Sequence, residues 1–198
     1  MHVFTFLGLN MNQLVKASLV MASLIGLSAC VQVTEEVETK SSQVAVSSVR
    51  DLPLSYPVGS TFALSPKYLE HVSMKQQQIK DVYNIYTQAI VENLQSNGYQ
   101  QAVDSKQADF LVGFGAALQA DLEAENVNEK FGISPGLPSV ENMRRGSFLI
   151  FVDDALSDQR VWRGAVQGFV VEGLDNEERK GRAQGIVNLV LTQFYATK

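Results

Sequence analysis

Apolar residues recur along this chain with two different periods, and each change of period marks a new element. Val44 and Val46 alternate with polar or small neighbours over residues 43–49, which predicts a strand. Residues 51–57 contain Pro53 and Pro57 and read as a turn, and residues 60–64 form a second short strand ended by Ser65-Pro66. From about residue 74 to 97 the spacing lengthens to three and four: Ile79, Tyr83, Tyr86, Ile90 and Leu94 share one face of a helix. Ser73 with Gln76 fits a capping box at its start, and Asn97-Gly98 stops it.

Period two then returns. Residues 99–103 are a short strand candidate. Residues 110–118 set Phe110, Val112, Phe114, Ala116 and Leu118 against Leu111, Gly113, Gly115 and Ala117, so one face is large and the other mostly small. Residues 119–145 are polar, with Gly132, Pro135, Gly136 and Pro138, and their length marks a mobile or functional loop. Residues 148–152 are apolar at every position, which predicts burial on both faces. Residues 161–171 return as a long strand with Trp162, Gly164, Val166, Gly168 and Val170 on one side, completing an antiparallel hairpin. A last helix over about residues 176–196 carries Ala183, Ile186, Val187, Val190, Leu191, Phe194 and Tyr195 as an apolar stripe, with Asp175 and Glu178 suited to its start. The pattern predicts an α+β fold: a mostly antiparallel sheet with two amphipathic helices packed on one face.

The N-terminal part follows a different logic. Residues 12–16 are polar with one positive charge, Lys16, and residues 17–29 are apolar or small without charge. That stretch is shorter than the ~20 residues a bilayer span requires and matches a signal-peptide core. Met11 gives a leader of ordinary size, which suits an over-extended start, with Met1 as the alternative start. The core ends in Leu27-Ser28-Ala29-Cys30, which resembles a lipobox. Small residues at Ser28 and Ala29 fit a protease cutting between Ala29 and Cys30, and the Cys30 thiol accepts a diacylglycerol thioether. Ordinary secretory cleavage favours a small residue three positions before the cut, where Leu27 stands. Cys30 is also the only cysteine, so no internal disulfide competes for it. The expected organisation is a lipoprotein signal peptide (1–29), a lipidated cysteine with a flexible tether (30–42), and a single domain (43–198). Val31 stands where aspartate marks inner-membrane retention in Gram-negative lipoproteins, so the expected address is the outer membrane, facing the periplasm.

Charge narrows the function classes. The formal net charge is −5, without the Lys and Arg clusters that bind phosphate backbones, so nucleic acid is excluded as a partner. The same balance argues against attraction to anionic headgroups. Gly132-Ile133-Ser134-Pro135-Gly136 matches a nucleophile-elbow pattern, but its prolines and polar flanks indicate a loop, and the only histidine beyond the leader, His71, precedes it. His71 has no Cys or His partner for zinc. Asp153, Asp154 and Asp158 lack calcium-loop spacing and read as a solvated hairpin turn. Gly113-Phe114-Gly115 begins a dinucleotide fingerprint without its third glycine, Leu118 standing there instead. Gly181 and Gly185 signify close helix packing or nothing. Trp162 and Arg163 are the residues to probe for a binding surface, set against the reading of Trp162 as core and Arg163 as outward-facing. No cofactor and no metal is expected.

Ser60-Thr61-Phe62-Ala63, Asn97-Gly98-Tyr99, Ala108-Asp109-Phe110-Leu111-Val112 and Val161-Trp162-Arg163-Gly164, in this order, resemble the bacterial lipoproteins grouped as domain of unknown function 4136. Phe62 departs from the tyrosine more frequent there. The resemblance implies an envelope lipoprotein with an α+β domain and brings no catalytic residues. Three functions follow as expectations: a non-enzymatic module for an unknown envelope protein partner, a carrier of lipid or another small apolar ligand, and a hydrolase using Ser134. The carrier requires a continuous apolar pocket between sheet and helices.

Overall fold

The computed structural model describes residues 42–65, 76–118 and 131–196. The elements in chain order are strand β1 (Val44–Arg50), β2 (Thr61–Leu64), helix α1 (Gln76–Ser96), β3 (Gln100–Gln101), a 3₁₀ turn (Ser105–Gln107), β4 (Phe110–Leu118), β5 (Arg145–Asp154), β6 (Arg160–Phe169) and helix α2 (Asn176–Ala196). The strands form one six-stranded sheet in the order β1-β6-β5-β4-β2-β3. β4, β5, β6 and β1 pair antiparallel, whereas β2 is parallel to both of its neighbours, β3 and β4. The sheet is therefore mixed, which corrects the expectation of a mostly antiparallel one. The reason is the connection: parallel neighbours need a crossover, and α1 supplies it between β2 and β3. β3 is two residues long, too short for its direction to leave a periodic trace.

Three of the four motifs quoted above meet at this junction. Phe62 of β2 stands in register with Phe110 of β4, and their rings stack at 6.1 Å. Asp109 locks the pairing, its Oδ2 accepting from the Thr61 backbone N–H at 2.7 Å and the Thr61 hydroxyl at 3.0 Å. Gly98 ends α1 with φ +88, the left-handed conformation that costs glycine little. Tyr99 then turns its ring edge-on to Phe110 at 5.5 Å and donates its hydroxyl to the Tyr56 carbonyl at 3.1 Å.

The long strands separate two apolar clusters by simple alternation. Phe110, Val112 and Phe114 of β4, Phe148, Ile150 and Val152 of β5, and Trp162 and Val166 of β6 share one cluster with Ile90 and Leu94 of α1 and Val187, Val190, Leu191 and Phe194 of α2. Leu149 and Phe151 of β5 and Ala165 of β6 form the second cluster with Ile133. Residues 148–152 are thus buried throughout, at 3% exposure or less. The tightest contact lies in β6. The Trp162 indole lies across Gly164, where an added Cβ would fall 2.3 Å from the ring and 2.9 Å from Val190 of α2. Glycine two positions after the tryptophan, on the same side of the strand, leaves room for both the ring and the helix.

The stretch expected to be a polar loop is partly structural. Ile133 and Leu137 are buried, at 3% and 5% exposure. Leu137 is held at both backbone groups: its N–H donates to Gln167 Oε1 at 3.0 Å, and its carbonyl accepts from Arg145 at 2.6 Å. Gln167 is itself buried and donates to Ser147 Oγ at 3.2 Å, so its amide is satisfied on both sides.

Around the β5–β6 turn, Asp154 accepts from the Ser157 N–H and hydroxyl, each at 2.8 Å, and from the Tyr56 hydroxyl at 3.0 Å. The Ser157 bonds, more than any other cause, hold the Asp154 carboxyl below its ordinary pKa, with Tyr56 adding in the same direction. Burial and that carboxylate push the Tyr56 hydroxyl well above its ordinary value.

Two predictions follow from these contacts. Gly164→Ala should destabilise the domain by about 1–3 kcal/mol, as overpacking does. Denaturant unfolding followed by the single tryptophan, Trp162, measures it; an unchanged midpoint would show that the ring does not lie over residue 164. Asp154 contributes stability that is present above the ordinary carboxylate pKa and lost as pH falls through its depressed folded-state value. Asp154→Asn should therefore lower the melting temperature most at neutral pH, with the gap to wild type closing in acid. A gap of constant size across that range would contradict the role given to its charge.

Candidate binding cleft

Side-chain hydrogen bonds join the last turns of α1 to the middle and end of α2. Gln184 donates to Glu92 at 3.1 Å, Asn93 to Asn188 at 3.3 Å, and the Tyr195 hydroxyl to Asn93 at 2.9 Å. Toward the N-terminal ends of both helices an open cleft of about 620 Å³ lies between them and the sheet. Val82, Ile85 and Tyr86 of α1 line it with Ile186 of α2, over Phe148 and Val166 of the sheet. The Tyr86 ring stacks on Phe148 at 4.2 Å, which fixes one wall.

The rim is basic. Arg144, Arg179 and Arg182 line the cleft along with two acids, Asp81 and Glu172. Residues 170–174 close one end. Arg144 pairs with Glu172, and Arg179 Nε donates to the Leu174 carbonyl at 2.9 Å, so that segment is tied from both sides. Asp175 and Glu178 form a reciprocal capping box at the start of α2: the Asp175 N–H donates to Glu178 Oε2 at 2.8 Å and the Glu178 N–H to Asp175 Oδ1 at 2.9 Å. Arg182 donates to the Phe169 carbonyl at 2.6 Å. Burial pushes the Tyr86 hydroxyl up to about 12, the Arg182 charge working in the opposite direction. Tyr86 therefore stays protonated near neutrality and available as a donor.

The residues singled out from sequence lie elsewhere. Ala29, Cys30, His71 and the Ser73 cap fall outside the described residues. Ser134 stands in an irregular run between buried Ile133 and Leu137, with no helix after it, so the strand–turn–helix of a nucleophile elbow is not formed. Trp162 is fully buried and offers no surface to a partner. Arg163, on the opposite side of β6, pairs with Asp51 at 3.0 Å and donates to the Phe131 carbonyl at 3.1 Å. It anchors the β1 end and residue 131 to the sheet, and with Trp162 it makes no common binding surface. Asp153 is buried against Arg160 at 2.5 Å while Asp154 is engaged by Ser157 and Tyr56, so the turn carboxylates do not converge. Among the described residues no cluster of three His, Cys, Asp or Glu is placed to hold a metal. Gly113 and Gly115 are buried within β4. A Cβ at Gly181 or Gly185 would meet nothing within 4 Å, so the pair reflects no close packing.

The cleft was not legible as a unit because its lining comes from stretches far apart in the chain, at residues 44, 81–86, 116, 144–148 and 166–186. Arg144 is far in sequence from Arg179 and Arg182, and Val82 and Ile85 fall outside the α1 apolar stripe. The available signals were Tyr86 in the α1 stripe, Phe148 and Val166 in the predicted strands, and Ile186 in the α2 stripe.

Among the described residues no helix is long and apolar enough to cross a membrane. No curated protein matches the sequence. Among solved structures, a DUF4136 family protein from Bacteroides thetaiotaomicron is similar at 17% identity and TM-score 0.48, covering 78% of this chain and 97% of that one. The PelC dodecamer from Paraburkholderia phytofirmans is similar at 11% identity and TM-score 0.44, covering 76% and 96%. A PDZ domain protein from Parabacteroides distasonis shares the fold at 14% identity and TM-score 0.51, over 79% of this chain and 36% of that one. The family described as domain of unknown function, DUF4136, matches residues 55–194, a span that takes in the β2–β4 junction, the Trp162–Gly164 contact and nearly all of α2. The chain belongs to the DUF4136 family.

Proposed function

We propose that this protein is a lipid-anchored envelope module, held at the outer membrane through Cys30 and facing the periplasm. Its domain is non-enzymatic and binds a partner or ligand. Its two amphipathic helices pack on one face of the sheet and leave the cleft between them for that purpose. The cleft carries this reading: it is open, of a size that ligand sites ordinarily have, and apolar at its base with polar groups at its rim. The address rests on the Leu27-Ser28-Ala29-Cys30 motif after an uncharged core, and on the absence of aspartate at position 31. Two or three acyl chains on one cysteine give lasting attachment, since a single chain holds only reversibly.

A carrier of a small apolar ligand is the second reading, favoured by the continuity of Val82, Ile85, Phe148, Val166 and Ile186 across the cleft base.

Metabolic labelling with an alkyne palmitate should mark the wild-type chain and leave Cys30→Ser unmarked. Val31→Asp should shift the labelled protein from the outer- to the inner-membrane fraction of a density gradient in a Gram-negative host. Equal labelling of Cys30→Ser would remove the anchor from the proposal. For the domain, a photo-crosslinking amino acid at Val171, a cleft residue 37% exposed, should trap a protein or lipid in intact cells. A protein or lipid caught equally from exposed Leu156, on the distant β5–β6 turn, would count against the cleft as the site.

A further inference from the structure

The three arginines of the cleft are not equivalent. Arg144 is neutralised by Glu172, and Arg179 is turned to the Leu174 carbonyl. Arg182 spends one contact on the Phe169 carbonyl and has no carboxylate partner among the described residues. A guanidinium presents five N–H donors, so most of its capacity remains. Beside it, the Tyr86 ring is fixed on Phe148, and among the described residues its hydroxyl has no hydrogen-bond partner. Of the other ionisable groups here, Asp81 has interactions of its own and Glu172 belongs to Arg144. A cation and a hydroxyl donor thus stand together at the edge of a hydrocarbon base.

Resting on the binding role proposed above, we infer that the cleft takes a single-chain amphiphilic anion. The acyl chain lies along Val82, Ile85, Phe148, Val166 and Ile186, and the anionic head meets Arg182 and Tyr86. The chemistry favours this occupant over a peptide. The stretch formed by Val82, Ile85, Phe148, Val166 and Ile186 is side-chain hydrocarbon, and a peptide laid along it would bury amides without partners there, whereas an acyl chain has none to satisfy. It also favours an anion over a neutral lipid, which would cover Arg182 without answering its charge. A fatty acid and a lysophospholipid share the required chemistry.

The test uses the full lipidated protein in isolated membranes, photolabelled with a diazirine-bearing analogue of palmitic acid and mapped by peptide mass spectrometry. Mapping separates cleft labelling from any chain on Cys30. Label is expected on peptides carrying Val82–Tyr86 and Arg182–Ile186. Palmitate or lysophosphatidylglycerol should displace it, whichever acts identifying the source, and hexadecanol should not. Arg182→Gln should weaken displacement about tenfold, the worth of a charge-assisted hydrogen bond. Tyr86→Phe keeps the stacking on Phe148 and should weaken displacement a few-fold, so the result does not depend on one variant folding. Displacement by hexadecanol equal to that by palmitate, or wild-type behaviour of both variants, would overturn the anion site. If the cleft takes no label but a crosslinker at Val171 traps a protein, the ligand class fails and the binding role stands. If neither occurs, both fail.

Discussion

The crossing of α2 over β6 at Gly164 constrains the rest of the domain. There the Trp162 ring lies in the space a side chain would occupy, with Val190 of the helix close above. Phe194 of α2 packs on the same indole at 5.4 Å, and Phe194 in turn touches Phe110 at 6.1 Å. One glycine therefore sets the height of α2 above the sheet, and the aromatic contacts pass that setting to β4. Side chains interdigitate too closely in such a core for one element to shift alone.

The cleft is a consequence of that arrangement. α2 is drawn to the sheet mainly by Val187, Val190, Leu191 and Phe194, beyond its midpoint, and is joined to α1 through Glu92 and Asn93. Its first turns add only the small Ala183 to the core, with Arg179 and Arg182 lining the cleft and Gly181 and Gly185 exposed, so little apolar bulk closes the gap. What remains is open space with a hydrocarbon base. The opposite face of the sheet receives a chain segment instead, and there polar residues have a structural task. Gln167 and Arg145 answer the backbone of Leu137, and Arg163 answers that of Phe131.

Charge shows how far a chain average departs from a local site. The net charge of −5 argues against anionic partners for the surface as a whole. The cleft nevertheless gathers three arginines against two acids, beside hydrocarbon that weakens solvent screening. The motifs that carry the family resemblance have a different role. Thr61 and Asp109 lock β2 to β4, Tyr99 closes on Phe110, and Trp162 requires Gly164. They specify the fold, which is why they resemble other family members without pointing to a reaction.

Most elements are legible in the sequence because burial imposes a period that residues themselves reveal. The unbroken apolar run at 148–152 announces a strand covered on both faces, and α2 begins where Asp175 and Glu178 signal it. The Leu27-Ser28-Ala29-Cys30 motif behind the proposed anchor is local too, a short chemical signature that depends on no fold. Tertiary structure alone decided the parallel placement of β2, since direction depends on a crossover and not on periodicity. It alone put Ile133 and Leu137 under the sheet, because Gln167 and Arg145 lie in other strands. And it alone assembled the cleft, whose residues from 44 to 186 have no relation along the chain until two helices and a sheet bring them together.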